Sequence, residues 1–182
     1  MIFKKVTREE LKVTREKWER DIERLEEADE TVRPSLYWSA LDAASARIGE
    51  ELESLQYGLY ENHIESNAIA LVAVHPVLAS SAPYLKVREI RLEPSLGYDL
   101  GDGDGEDYFS RHKKITEIVG SIIAEVLVLA TDEYGMNKIK IYGSTQVEIE
   151  MFTNVVAHSK HLEESWGVRA SAHGHWLQFE KS

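Results

Sequence analysis

The densest positive cluster in this chain is Arg111-His112-Lys113-Lys114, set among 182 residues that carry 32 acidic and 21 basic side chains, for a net charge of −11. Cations ahead of Val119-Gly120-Ser121 suit the binding of an anion, provided that a helix starts there. Two starts fit the sequence. With Thr116 as N-cap, the N–H groups near Ile118, Val119 and Gly120 lack intrahelical partners and can be offered to an anion. With Ser110 as N-cap the helix gains about a turn and a half, and those donors are consumed.

Other clusters carry less chemistry. The stretch Asp99-Leu-Gly-Asp-Gly-Asp-Gly-Glu-Asp107 has the composition of a calcium loop but not its order: aligned on Asp102 and Asp104, the first ligand position holds Leu100 and the last holds Arg111. It reads as an acidic loop spanning about 95–107. His173 and His175 flank a turn glycine and no third ligand is evident, so no metal is expected. With no cysteine, disulfides and thiolate chemistry are excluded. The acidic balance argues against nucleic acid or a membrane surface as partner. No apolar run reaches the ~20 residues that span a bilayer, so a soluble, cytoplasmic protein is expected.

The elements that must position these groups are read from periodicity. Val119, Ile122, Ile123, Val126, Leu129 and Ala130 follow helical spacing, Gly135 is placed to cap that helix, and Lys138–Tyr142 alternates as a strand. Upstream, Ile2–Lys5 is a short strand. Thr7-Arg-Glu-Glu10 is a capping box with Val6 and Leu11 as its staple, opening a helix with Leu11, Arg15, Trp18, Ile22 and Leu25 on one stripe. A second helix over Ser35–Leu52 turns Leu36, Ala40, Leu41, Ala44, Ile48 and Leu52 inward. Strands follow at Gln56–Asn62, Ala68–His75 and Tyr84–Glu93. Thr145-Gln-Val-Glu148 is a second capping box, before a helix burying Ile149, Phe152, Val155, Val156, Ser159 and Leu162. Val168–Ala172 and His175–Glu180 form a hairpin around His173-Gly174. The class is α/β around one mixed sheet, in a single domain over 1–182.

That element order, with Gly120 opening the central helix, Gly135 before the next strand and Trp166-Gly167-Val168 entering the last hairpin, resembles the GNAT superfamily of acyl-coenzyme A-dependent N-acyltransferases. The resemblance spans nearly the whole chain. It implies a mostly antiparallel sheet with splayed central strands and helices on both faces. The splayed strands would be Tyr84–Glu93 and Lys138–Tyr142, with the backbone of Ile90, Arg91 and Leu92 facing the pantetheine arm of acetyl-CoA. Pyrophosphate would meet Val119, Gly120 and Ser121, with Arg111, Lys113 and Lys114 adding charge. The family's phosphate signature is Gln or Arg, two residues, Gly, one residue, then Gly or Ala. Here its first position is Ile115 and its middle glycine is Ile118, and only Gly120 is retained.

The implied activity is transfer of an acetyl group to a primary amine by direct attack. Glu89 or Glu93 would serve as base, and His158, or alternatively His161, would stand in for a tyrosine acid that is missing between Gly143 and Gly167. Expected partners are a small-molecule or protein amine acceptor, with a homodimer as a further candidate. The alternative, motivated by Ile115 and Ile118, is a GNAT-fold binding or regulatory module that has lost CoA binding.

Overall fold

Strand β1 (Ile2–Lys5) leads into helices α1 (Arg8–Ala28) and α2 (Pro34–Arg47). Strands β2 (Leu55–Tyr60), β3 (Ala70–Val77) and β4 (Tyr84–Leu92) follow, then the single turn α3 (Pro94–Gly97) and the long helix α4 (Glu106–Asp132). Strands β5 (Lys138–Tyr142), β6 (Val168–His173) and β7 (Trp176–Lys181) complete the set. The computed structural model describes residues 1–28, 34–48, 55–62, 67–97, 106–143, 149, 152–153, 155–157, 159–160, 163–164 and 167–181, with 106–112 described as helix backbone. The seven strands lie in the order β1-β2-β3-β4-β5-β7-β6. The β4–β5 pair is parallel, and β1–β2, β5–β7 and β6–β7 are antiparallel. The class is therefore α/β with a mixed, mostly antiparallel sheet. The chain divides into two compact units: Met1–Ala73 with Ile90–Ile122, and Val74–Glu89 with Ile123–Ser182.

In the first unit the capping box forms as the sequence predicts. The Glu10 amide donates to Thr7 Oγ1 at 3.2 Å, and the Thr7 amide donates back to Glu10 Oε2 at 2.9 Å. Burial pushes the Glu10 carboxyl up, but hydrogen bonds from Lys4 and Thr7 outweigh it and hold the group below the usual glutamate range. Val6 and Leu11 are buried as the staple and join Trp18, Ile22, Leu41 and Tyr60 in one core. Thr14 and Trp18, a turn apart on α1, grip the backbone of Ala68 together. Thr14 Oγ1 accepts its N–H at 2.9 Å, and Trp18 Nε1 donates to its carbonyl at 3.1 Å. Helix α2 turns Tyr37, Ala40, Leu41 and Ala44 inward. Leu36, expected inside, is 48% exposed, because the edge of the Trp18 ring packs against Tyr37 and sets the rotation of the helix.

Gly58 has a packing reason. A Cβ there would lie 2.9 Å from Tyr60 Cε2, Tyr60 Oη and Val6 Cγ2. The Tyr60 ring is fully buried, with Lys4 Nζ 4.8 Å from its centroid. Burial pushes the Tyr60 phenol well up, and the Glu10 carboxylate adds to the shift. Gly58→Ala is expected to destabilise the protein by about 1–3 kcal/mol, the usual cost of overpacking, read as a lower urea midpoint with an unchanged slope.

In the second unit Ile139, Ile141, Leu177 and Phe179 occupy one covered face of β5 and β7. Gly135 caps α4 as anticipated, with φ of 62°, and the amides of Gly135 and Met136 satisfy the carbonyls of Thr131 and Ala130 at 3.2 and 2.8 Å. The closing hairpin turns one residue later than expected. His173 pairs with Trp176, and Gly174, with φ of 56°, takes the first of the two turn positions. The loop expected over 95–107 is shorter, since Pro94–Gly97 is helical and α4 starts at Glu106. The second capping box lies outside the described residues. Of the stripe after it, Phe152 and Ser159 are buried, Ile149, Val155 and Val156 are half-buried, and Leu162 lies outside the described residues.

Candidate functional site

The far end of β4 is where the candidate site residues gather in sequence. The parallel ladder pairs Leu85 with Ile139, Lys86 with Lys140 and Val87 with Ile141, and stops there. Strand β4 continues to Leu92, so half-buried Ile90, Arg91 and Leu92 lie past the ladder. Glu93 follows at once. Its amide donates to the Ile69 carbonyl at 2.9 Å, and its own carbonyl accepts the Leu96 amide at 3.0 Å, starting α3 with Pro94 in the first helical position.

The Glu93 carboxylate is claimed by the protein itself. The residue is 6% exposed and receives Lys17 Nζ at 2.8 Å, while the same ammonium reaches Asp21 at 2.6 Å. Burial pulls Lys17 down, but its hydrogen bonds to Asp21 and Glu93 outweigh that and hold the ammonium above the ordinary lysine range. To engage an amine the Glu93 carboxylate would first have to leave the Lys17 ammonium, which exposes a buried charge to the loss of its partner. Its geometry is that of a strut holding the end of β4 to α1. Glu89 lies within β4, half-buried and engaged by neighbouring groups. The sequence reading missed Lys17, Thr14 and Asp21, because polar residues that are buried or half-buried do not stand out within a helix rich in charge. Their common signal is the spacing Thr14, Lys17, Trp18, Asp21, which puts three polar groups beside the apolar stripe.

Helix α4 begins at Glu106, ahead of both Thr116 and Ser110. The two caps weighed from the sequence are therefore interior residues. Val119, Gly120 and Ser121 lie well inside the helix, where their N–H groups serve carbonyls one turn back, and Ser121 Oγ donates to the Glu117 carbonyl at 2.8 Å. The expected row of open amides at Ile118–Gly120 is not formed. Packing is the reason: Ile118 is fully buried and continues the stripe of Ile122 and Val126, so the helix is carried back through it. A Cβ on Gly120 would meet nothing within 4 Å, so the protein's own packing does not require glycine there.

The basic run is partly neutralised. Lys114 Nζ lies 2.8 Å from Glu61, and Lys113 Nζ lies 4.0 Å from Glu117. These four residues and Met1 line an open cavity of about 500 Å³. Arg111 falls on the backbone of α4, and the side chains of Arg111 and His158 lie outside the described residues. His175 Nδ1 is 3.0 Å from the Gly143 carbonyl, and His173 is exposed. No helix among the described residues is long and apolar enough to cross a membrane.

No family model and no curated protein matches the chain. Solved structures do resemble it. The KacTA–DNA complex aligns at 10% identity and a TM-score of 0.48, covering 80% of this chain and 79% of the other. An AtaT–AtaR complex bound to DNA aligns at 11% identity and a TM-score of 0.36, covering 70% and 68%. An aminoglycoside 6'-N-acetyltransferase complexed with coenzyme A aligns at 13% identity and a TM-score of 0.40, covering 100% and 96%. At these values none of them assigns an activity to this chain. The expectation that nucleic acid is not a partner, drawn from net charge, is withdrawn: two of these similar structures contain DNA. A charge of −11 is a sum over the whole chain and is silent about where its cations gather.

Proposed function

We propose that this chain is a GNAT-type acyltransferase that moves an acetyl group from acetyl-CoA to a primary amine. The observation that carries this reading is that β4 runs on to Leu92 after its parallel ladder with β5 has ended at Val87. Backbone at Ile90, Arg91 and Leu92 is assigned to the amide-rich pantetheine arm, which pairs with extended backbone much as an added strand does. Because the amides of Val119, Gly120 and Ser121 are spent within α4, the pyrophosphate is assigned to the side chains of Lys113 and Lys114, with Arg111 adding charge. Glu61 must then release Lys114. Both partners of that ion pair are more than 40% exposed, and such pairs contribute only about 0–1 kcal/mol, so the exchange is cheap.

In the reaction the amine nitrogen attacks the thioester carbonyl and the C–S bond breaks. Glu89 takes the amine proton, directly or through water, and His158 protonates the leaving thiolate. Glu93 holds the end of β4 and does not take part in proton transfer. Calorimetric titration with acetyl-CoA tests the reading. Binding is expected, weakened about tenfold or more in a Lys113→Glu/Lys114→Glu variant, since each phosphate interaction removed and each charge reversed costs on the order of 1 kcal/mol. Absence of heat at millimolar acetyl-CoA sinks it.

One observation favours the second reading, a module that keeps the scaffold without the cofactor: α4 starting at Glu106 uses the amides a phosphate would need. That reading predicts no change in melting temperature with CoA. A native-state ligand at about a hundred times its Kd adds about 2.7 kcal/mol, so a shift of several degrees removes this second reading.

A further inference from the structure

One face of the second unit's sheet has the composition of a recognition surface. The registers place Lys86 opposite Lys140, and Lys140 opposite Gln178; in the next row Tyr142 lies opposite Trp176, and Trp176 opposite His173. Strand alternation puts these residues on one side of the sheet, while Leu85, Val87, Ile139, Ile141, Leu177 and Phe179 are buried on the other. On the polar side Tyr142 is 42% exposed, and Tyr84, Lys86, Lys140 and Trp176 are half-buried.

The two lysines are unusual in their company. Like charges directly opposite one another destabilise a sheet. In a chain with 32 acidic residues, neither has a carboxylate partner among the described residues. Each instead sits over a ring: Lys86 Nζ is 4.9 Å from the centroid of Trp176, and Lys140 Nζ is 4.1 Å from that of Tyr84. Tyr142 lies beside them, its ring 4.9 Å from Trp176 and 5.7 Å from His175. Lys138, one row away, is already paired with Glu180 at 3.2 Å. Glu180, the carboxylate on this side of β7, is thus taken by Lys138, and what the face offers with Lys86 and Lys140 is a run of flat rings. A ligand that supplies phosphates and flat rings at short repeat is a nucleic-acid strand with unpaired bases.

We propose that the polar face of β4, β5 and β7 binds single-stranded nucleic acid. Tyr142 stacks on a base, and Lys86 and Lys140 swing from their rings to backbone phosphates, freeing the faces of Trp176 and Tyr84 for further stacking. Neither the acyl-transfer reading nor its failure bears on this, because none of these residues belongs to that site.

The test is fluorescence anisotropy with a labelled oligouridine of about a dozen nucleotides, titrated at several salt concentrations. Binding is expected to weaken with salt. The Lys86→Gln/Lys140→Gln variant is expected to reduce the slope of log K against log salt by about 1.4, because each phosphate neutralised on a single strand contributes about 0.7 to that slope. Tyr142→Leu, at an exposed position that leaves the fold standing, is expected to weaken binding about tenfold. Quenching of tryptophan emission by the oligomer is expected to shrink in Trp176→Phe, and thermal melts check that each variant is folded. Three results overturn the proposal. One is no binding at about 100 μM oligomer in low salt. Another is binding indifferent to all three variants. The last is equal affinity for the uridine mononucleotide or an acidic peptide, which makes the face a nucleotide or protein dock.

Discussion

Trp18→Ala is expected to cost about 3–5 kcal/mol, the range for emptying a fully buried aromatic site. Domains of this kind have about 5–15 kcal/mol in total, so the variant sits near the edge of folding. Two effects add. The indole fills the centre of the core formed with Ile22, Tyr37 and Leu41, and its edge meets Tyr37 with ring centroids 6.3 Å apart. Its Nε1–H also satisfies the Ala68 carbonyl, which has little water to turn to. Trp18→Phe separates the two. It keeps most of the volume but abandons that carbonyl, and about 1–3 kcal/mol of loss is expected from the unmade bond and the smaller ring. Urea unfolding of both variants checks the pair. If Trp18→Phe matches the wild type, the Ala68 bond contributes nothing and the clamp is only packing.

Lys17→Met is expected to destabilise by about 2–3 kcal/mol, below the 3–5 kcal/mol of a fully buried pair because Lys17 is 30% exposed. The loss arises because the Glu93 and Asp21 carboxylates, 8% and 14% exposed in their side chains, are left without their counter-charge. The double variant Lys17→Met/Glu93→Gln is expected to recover part of the loss, since it removes a buried charge along with its partner. The sign with pH follows from the raised Lys17 group. Its stabilisation is complete below the ordinary lysine value of about 10.5 and is lost as pH rises through the higher folded value. The gap between wild type and Lys17→Met therefore holds at neutral pH and narrows in strong alkali. Glu93→Gln also separates strut from base: a strut lowers the unfolding midpoint and leaves the pH profile of any amine acetylation in place. A profile that loses its acidic limb in this variant would return Glu93 to the chemistry.

These variants probe interactions of different legibility. Trp18 stood on the predicted stripe of α1, and the capping box of Thr7 and Glu10 was readable because cap and helix are neighbours in sequence. Gly135 before β5 was readable for the same reason, a left-handed residue following a periodic run. The strut of Lys17 and Glu93 was not, because its partners are 76 positions apart and each alone resembles a solvated charge.

The start of α4 shows why the site was harder to read than the fold. Thr116 and Ser110 are both sound local caps, and local rules cannot choose between caps along one helical run. Burial of Ile118 chose neither and carried the helix back to Glu106. Likewise Leu36 and Tyr37 offer α2 two inward faces one residue apart, and the ring of Trp18 selected the second.

By itself, then, the sequence determined most of the described elements, most of their ends and the α/β class, because periodicity and capping act over a few residues. Only the tertiary structure decided which amides of α4 are used up, that Glu93 belongs to Lys17, and that Lys86 and Lys140 face each other with aromatic rings for company. Those depend on which buried surfaces meet across the chain, and that choice is made by packing between elements distant in sequence.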